Sequence, residues 1–217
     1  MAIADSKSTM YIPAAGYHSL LPFYDGLTKL MGVDRARRQL LDQADVRPSF
    51  RVLDVGCGTG TLAVLTKRRD PSVQVFGLDP DFKALARAKR KAERAKVAIQ
   101  FDHGFADALP YPDASFDRVL SSMMFHHLRG TEKTGMLREV RRVLRPGGRL
   151  EMLDFAGPET ADGLATRILH SHQLLKDNSE GHVVSLFEAA GLADPRRVTR
   201  GRILIWHVAY FQAVRNR

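Results

Sequence analysis

Val52-Leu53-Asp54-Val55-Gly56-Cys57-Gly58-Thr59-Gly60 is the stretch that decides the fold of this chain. It begins as an apolar segment interrupted only by Asp54, and three alternating glycines follow it directly. Without a Cβ atom, a glycine can adopt a positive φ and bring bare backbone close to a ligand. The stretch therefore predicts a buried strand that ends in a ligand-binding turn.

The acid beside the glycines selects the ligand. Asp54 precedes Gly56 by two positions. A carboxylate this close would repel a pyrophosphate by roughly 4 kcal/mol per charge pair at about 4 Å and an effective dielectric near 20. A cationic ligand would instead be attracted, and S-adenosylmethionine carries a sulfonium and an α-amino group. The residues therefore favour S-adenosylmethionine over NAD.

The spacing of the glycines points the same way. The dinucleotide fingerprint is G-x-G-x-x-G/A, whereas this loop has G-x-G-x-G and Thr61 stands where the last small residue would be needed. A second apolar strand over 73–78 ends in Asp79, which is placed to accept hydrogen bonds from a ribose diol. A nicotinamide-dependent reductase remains an alternative, because both cofactor classes contain that ribose.

Length and composition indicate one globular unit. The chain has 217 residues, 44% of them hydrophobic, and its formal net charge is +9. It has no apolar run long enough to span a bilayer, and Met1–Met10 lacks the pattern of a secretory signal, so we expect a cytoplasmic protein. Cys57 is its single cysteine, which excludes an intrachain disulfide and a cysteine-based zinc cluster.

Short apolar strands alternate with helical patterns along the chain. Residues 19–44 predict one or two helices, which would form a cap (1–48) over a core domain (49–217). Alternation of this kind predicts an α/β fold with a mostly parallel sheet covered on both faces. The predicted core strands are 51–55, 73–78, 98–102, 116–122, 149–155 and an antiparallel edge strand at 202–214; the predicted helices are 60–69, 81–95, 131–143 and 181–190.

Further motifs occur in a fixed order along most of the chain. They are Leu20–Asp25, the glycine loop, Asp79-Pro80, Ala106–Pro110, Ser115–Asp117, His126–Leu128 and Leu144–Gly148. This series resembles class I S-adenosylmethionine-dependent methyltransferases, and among them the ubiquinone/menaquinone-biosynthesis type. The resemblance implies a Rossmann-like, seven-stranded sheet with an antiparallel last strand and a helical cap over the active site.

The resemblance also implies residue roles. The three glycines would contact the methionine portion of the cofactor, Asp79 the ribose and Ala106 the adenine edge. Relatives carry an acid or amide before that alanine, whereas this chain has Phe105, which leaves a backbone carbonyl or Asp107 to accept from the adenine amino group. The predicted cofactor-binding residues are Asp54, Gly56, Cys57, Gly58, Thr59, Gly60, Asp79, Pro80, Phe105, Ala106, Asp107 and Ser121.

Methyl transfer asks for alignment of donor and acceptor and, for some acceptors, for a base. His126 is the foremost candidate, because it follows the fourth strand and imidazole titrates near pH 6.5. Tyr24 and His18 on the cap are further catalytic candidates. Tyr17, His127, Asp154, His170 and His172 could also face the pocket. No spacing in the sequence predicts a metal site.

Basic residues concentrate on the helix at 81–95, where the solvated face of a helix is the simplest explanation. Ser121-Ser122-Met123-Met124 lacks the Asn/Asp-Pro-Pro-aromatic pattern of DNA amino-methylating enzymes, so no specific nucleic acid is expected. Peripheral contact with anionic membrane is an alternative. Strand 202–214 is a segment along which two subunits could pair as a homodimer.

Three functions remain open at this point. The first is methylation of a small or lipid-like acceptor: a quinol- or phenol-like ring at carbon or oxygen, a phospholipid headgroup at nitrogen, or a small polar metabolite such as an amine. The second is the nicotinamide-dependent reductase. The third is a protein that binds the cofactor without catalysis.

Overall fold

The structure is a computed structural model that describes residues 31–156, 179–204 and 206–216. Helices and strands alternate through these residues as predicted. In chain order they are α1 (Val33–Gln43), β1 (Arg51–Val55), α2 (Thr61–Arg69), β2 (Gln74–Asp79), α3 (Phe82–Arg94), β3 (Gln100–His103), β4 (Phe116–Ser122), α4 (Gly130–Val143), β5 (Leu144–Phe155), α5 (Glu180–Ala189), β6 (Ala193–Ile203) and β7 (Trp206–Val214).

The strands form one seven-stranded sheet in the order β3-β2-β1-β4-β5-β7-β6. The pairs among β1 to β5 are parallel, and β7 runs antiparallel between β5 and β6. The α/β fold with a mostly parallel sheet and an antiparallel last strand is therefore confirmed. The order reverses between β1 and β4, and ligands of open parallel sheets bind at such a point, beyond the carboxyl ends of the strands.

The C-terminal strand prediction is wrong in two respects. The predicted single strand 202–214 is the end of β6 and all of β7, with Leu204 in the intervening turn at φ 52°. β7 lies inside the sheet and β6 is the edge, so β7 has no free edge along which two subunits could pair. β6 escapes sequence reasoning because most of its residues are exposed and it contains Pro195, a residue tolerated on edge strands.

Side chains that alternate along the strands fill a core on both faces of the sheet. Leu53 and Val119 pack in the cluster that includes Met136 of α4. Val52 and Leu120 point to the opposite face, into the cluster that α1 covers. Both faces are thus buried, as a parallel sheet requires.

Helix α3 begins at an N-cap aspartate, because the Asp81 side chain accepts hydrogen bonds from the backbone N–H groups of Lys83 (2.7 Å) and Ala84 (3.3 Å). Phe82, the first residue of this helix, is 69% exposed and stacks on His103, with ring centroids 3.8 Å apart.

Helix α1 is the described part of the predicted cap. It buries Val33, Ala36, Leu40 and Leu41 against the sheet. Residues 1–30 lie outside the described ranges, so the division into a cap (1–48) and a core (49–217) stays a prediction. Within the described ranges, none of the helices has the length and apolar character needed to cross a membrane.

Candidate active site

A cavity of about 370 Å³ opens at the carboxyl ends of β1, β2 and β4. Most of the predicted cofactor residues line it, namely Asp54, Gly56, Cys57, Gly58, Thr59, Asp79, Pro80, Phe105, Ala106 and Asp107. Gly60 and Ser121 do not line it, and Ser122 lies at the wall instead of Ser121. The sheet therefore brings residues that are far apart in the sequence to one place.

Asp54 carries the least satisfied charge of this cavity. Its side chain is 2% exposed, it accepts a hydrogen bond from the backbone N–H of Ala63, and its Oδ2 has no hydrogen-bond partner among the described residues. Burial raises the pKa of Asp54 to about 7, although the positive charge of Arg37 and the Ala63 N–H act against the rise. A cationic group bound in the cavity would satisfy Oδ2 and restore the ionised form.

Asp79 fixes the loop after β1 to the end of β2. Its Oδ2 accepts from the N–H of Gly58 (2.8 Å) and its Oδ1 from the N–H of Asp81 (2.9 Å). Burial raises the pKa of Asp79 to about 6 despite these hydrogen bonds. Each carboxylate oxygen has a second lone pair, which a ribose hydroxyl can use.

The outer two glycines of the loop are required for packing. Gly56 has φ 68°, and a Cβ added there would lie 2.2 Å from Cγ of Met124, beyond the end of β4. Gly60 has φ 75°, and its Cβ would lie 2.8 Å from that of Ala88 in α3. Gly60 therefore allows α2 and α3 to pack closely. Gly58 lines the cavity, and a Cβ added to it would have no atom within 4 Å.

An aromatic group borders the cavity beside Pro80. His103 Nε2 lies 3.0 Å from the carbonyl oxygen of Pro80, and the ring of Phe105 meets that of His103 edge to face at 6.2 Å. Phe105, Ala106 and Asp107 all line the cavity. The predicted adenine residues are thus together, with Phe105 as an apolar wall.

The residues after β4 form the other wall. Ser122, Met123, Met124, His127 and Leu128 line it. Met123 adopts φ 58°, an uncommon left-handed conformation for a residue with a side chain, and its N–H donates to the carbonyl of Leu153 (2.8 Å). Backbone strain of this kind clusters at functional sites.

The two adjacent histidines of this wall have different environments. Nδ1 of His126 lies 2.7 Å from Oδ1 of Asp154, a fully buried carboxylate, and the His126 side chain is 11% exposed. Burial by itself would raise the pKa of Asp154, but the charge and hydrogen bond of His126 hold it below its ordinary value. His126 is not among the described residues that line the cavity.

His127 lines the cavity, and its Nδ1 is buried without a hydrogen-bond partner in the described part of the chain. Burial, together with the charge of His126, lowers the pKa of His127 to about 4. Its imidazole is therefore neutral at pH 7.

Several candidates of the sequence analysis fall outside the described residues. These are the catalytic candidates Tyr24 and His18, together with Tyr17, His170 and His172. Among the residues that the structure does describe, no cluster of three or more His, Cys, Asp or Glu side chains could hold a metal ion.

Sequence reasoning missed Arg37, which lines the cavity from α1. Three arginines stand close together on this helix, Arg35, Arg37 and Arg38, and the helical period was the signal that could have found Arg37, since it lies four residues after Val33 and four before Leu41 on the apolar face. Burial agrees with this spacing: Arg37 is 7% exposed, whereas Arg35 and Arg38 are exposed.

Comparison with known proteins agrees with this site. A family model described as a methyltransferase domain matches residues 52–148. The chain is 40% identical over 162 residues to a demethylmenaquinone methyltransferase of Deinococcus radiodurans, covering 73% of this chain and 66% of that protein. A demethylmenaquinone methyltransferase of Thermus thermophilus is 40% identical over 156 residues, covering 70% of each chain.

The chain belongs to the class I S-adenosylmethionine-dependent methyltransferases of the quinone-biosynthesis type. Its fold matches the crystal structure of YcgJ from Bacillus subtilis with a TM-score of 0.71 at 20% identity, covering 85% of this chain and 99% of that one. The methyltransferase assignment decides against the nicotinamide-dependent reductase.

The cavity of this methyltransferase fits the cofactor of its family. S-adenosylmethionine carries an ammonium and a sulfonium, and Asp54 offers a buried carboxylate oxygen that lacks a partner among the described residues. Gly58 leaves open space beside it. Asp54 and Asp79 would hold the cationic end and the ribose, with Phe105, Ala106 and Asp107 around the adenine.

Proposed function

We propose that this methyltransferase methylates a carbon of a reduced, hydroxylated quinone-type ring. The observation that carries the proposal is the 40% identity to two proteins named for demethylmenaquinone, over about two thirds of their length. The wall after β4 supports it, since Met123, Met124 and Leu128 offer apolar side chains to an aromatic acceptor.

His126 is the proposed base. A carboxylate at Nδ1 holds the imidazole in one orientation, leaves Nε2 as the proton acceptor and stabilises the imidazolium that forms. Asp154 occupies that position. His127 is nearer the cavity, but its pKa of about 4 makes it a poor acceptor of protons at neutral pH. We propose that His127 instead offers a neutral hydrogen-bonding group to the acceptor.

The proposed chemistry is short. When bound, S-adenosylmethionine supplies an electrophilic methyl group on a sulfonium. The ring hydroxyl of the acceptor gives its proton to Nε2 of His126, and the resulting oxyanion makes the adjacent ring carbon nucleophilic. That carbon would take the methyl group as its bond to sulfur breaks, which leaves a neutral thioether. The proton of the methylated carbon then leaves to water, the ring becomes aromatic again, and the imidazolium of His126 returns its proton to the ring oxygen. The residues of the cavity contribute orientation and exclusion of water.

The test is a product analysis with isotopically labelled S-adenosylmethionine. The acceptors are a demethylated naphthoquinone kept reduced, the same compound oxidised, phosphatidylethanolamine vesicles and a small amine. We expect label on a ring carbon of the reduced compound only, because the oxidised ring has no hydroxyl proton to lose. Label on the headgroup or the amine would overturn the quinol proposal, and S-adenosylhomocysteine binding without transfer to any acceptor would favour a non-catalytic protein.

We further propose that the protein acts in the cytoplasm and meets an apolar acceptor at an anionic membrane surface. The support is the exposed basic side chains of α3, among them Lys83, Lys89 and Arg90. Each such residue close to an anionic surface contributes about 1 kcal/mol. Sedimentation with anionic and with neutral vesicles tests this, and equal binding to both would contradict it.

A further inference from the structure

Arg37 is a buried cation without a full set of partners. It lines the cavity from α1 and is 7% exposed. Its Nη1 donates a hydrogen bond to Oδ1 of Asp34 (3.2 Å), while its Nε is buried and has no partner among the described residues. A buried charged donor left unpaired is unfavourable, so the position is better suited to a protein with an anion bound than to one without.

Asp54 is the matching anion of the same cavity. Its buried Oδ2 also has no partner in the described residues. Arg37 is near enough to lower the pKa of Asp54, yet the two side chains make no ion pair with each other. Two oppositely charged, buried side chains therefore line one cavity and form no ion pair with each other. Each has a polar atom, Nε or Oδ2, without a partner among the described residues.

We infer that Arg37 and Asp54 form a clamp for the α-amino acid end of the cofactor, with Arg37 on its carboxylate and Asp54 on its ammonium. The inference rests on the cofactor assignment that underlies the proposed function. A zwitterion presents both charges a short distance apart, and this cavity is lined by a guanidinium and a carboxylate that each have a polar atom without a partner among the described residues. Guanidinium groups also recognise carboxylates through paired N–H donors.

The clamp gives helix α1 a function. Asp34 is a positioning residue, because it holds the Arg37 guanidinium from one turn earlier in the same helix. Arg37 reaches the cavity from an element that precedes the glycine loop in the chain, whereas Asp54 belongs to the strand that leads into that loop. The amino acid end of the ligand would thus connect α1 to β1.

The experiment compares two ligands that differ in this end alone. S-adenosylhomocysteine has the amino acid group, and 5′-methylthioadenosine keeps the adenosine and the thioether without it. Calorimetry measures both dissociation constants for the parent, Arg37→Gln and the control Arg38→Gln, whose arginine is an exposed neighbour on α1. Thermal unfolding of each variant confirms that it is folded.

We expect Arg37→Gln to weaken S-adenosylhomocysteine by about 10- to 100-fold, the range of hydrogen bonds to charged groups, and to change 5′-methylthioadenosine by less than about twofold. Arg38→Gln should change neither. Arg37→Lys keeps the positive charge but loses the paired N–H donors of the guanidinium, so its affinity for S-adenosylhomocysteine should lie between those of the parent and Arg37→Gln. It also serves as the test if Arg37→Gln does not fold.

Two results would overturn the clamp alone: an unchanged affinity for S-adenosylhomocysteine in both Arg37 variants, or an equal loss for the two ligands. A parent protein that binds neither ligand would overturn the cofactor site itself, and with it the proposed function. A parent that binds both but transfers no methyl group leaves the clamp intact and counts against the proposed function only.

Discussion

The two walls of the cavity differ in chemistry. The wall at the ends of β1 and β2 holds the buried carboxylates Asp54 and Asp79, with pKa values raised to about 7 and about 6. The wall after β4 combines the apolar side chains of Met123, Met124 and Leu128 with Ser122 and one neutral imidazole, and Arg129, Thr131 and Glu132 continue it into the start of α4. A charged ligand needs charged groups at fixed places, whereas an apolar acceptor needs apolar surface. The first wall therefore suits the charged end of a ligand, and the apolar part of the second wall suits the acceptor.

The largest expected effect is on turnover, which depends on the second wall, whereas affinity for the cofactor depends on the first. We expect His126→Ala to lower turnover by about 10²- to 10⁴-fold, because the proton acceptor is lost, with affinity for S-adenosylhomocysteine little changed. His127→Ala is the matched control, and it should cost turnover about tenfold or less. Single-turnover kinetics and calorimetry measure the two quantities. A larger loss in His127→Ala would transfer the base role to the histidine that lines the cavity.

Asp54→Asn, on the first wall, should mainly change cofactor affinity. Affinity for S-adenosylhomocysteine should fall by about 10- to 100-fold, because the cation loses its charged partner. The stability of the ligand-free protein should rise at pH 8. Burial raises the folded-state pKa of Asp54 from 3.8 to about 7, so its ionisation destabilises the fold as pH increases through that window.

The rise in the pKa of Asp54 sets an upper limit on the stability that Asp54→Asn gains at pH 8. Each pKa unit corresponds to about 1.4 kcal/mol, which gives up to about 4 kcal/mol at pH 8. Chemical unfolding at pH 4 and pH 8 measures it, and the gain should be much smaller at pH 4, where the carboxyl is protonated in the folded protein and about half protonated in the unfolded chain, whose pKa is 3.8. Loss of both affinity and stability at pH 8 would mean that Asp54 holds the loop rather than a ligand.

A pH dependence of cofactor binding follows from the same carboxylate of the first wall. Binding of an ammonium requires ionised Asp54, so affinity for S-adenosylhomocysteine should rise about tenfold per unit from pH 5 and level off above the pKa of about 7. Calorimetry across this range measures the rise. Asp54→Asn should give a nearly flat profile, and a parent profile equally flat would contradict a raised pKa in the empty site.

The sequence predicts the first wall well and the second poorly. Asp54, the glycine loop and Asp79 belong to one local strand-turn-helix-strand unit, and short connections make its geometry follow from residue order. His126 and His127 are adjacent on the short 3₁₀ turn over Phe125–His127, and their ring centroids lie 4.0 Å apart. Which of them faces the cavity depends on how that turn sits against Asp154, a contact made from β5.

Other misses share this dependence on distant contacts. Arg37 lies on the apolar face of α1, unlike Arg35 and Arg38, but only the contacts of the folded chain show that this face reaches the cavity. Ser121 and Ser122 alternate across β4, and the register of the strand decides which one reaches the cavity wall. β6 leaves no clear periodic pattern because most of its side chains are exposed, and among the described residues it has a neighbouring strand, β7, on one side only.

That bare side of β6 has a consequence for the protein in concentrated solution. Glu180 pairs with Arg197 and Arg200, and β6 itself carries Arg196, Arg197, Arg200 and Arg202 against one acid, Asp194, so this rim of the sheet keeps an excess of positive charge. A strand of another molecule that paired with β6 would lie about 4.8 Å away. Salt at physiological concentration screens charges that are more than about 8 Å apart, so the charges of the two strands would still repel each other. Two molecules that met rim to rim would repel each other at contact, which protects the chain against growth into fibrils.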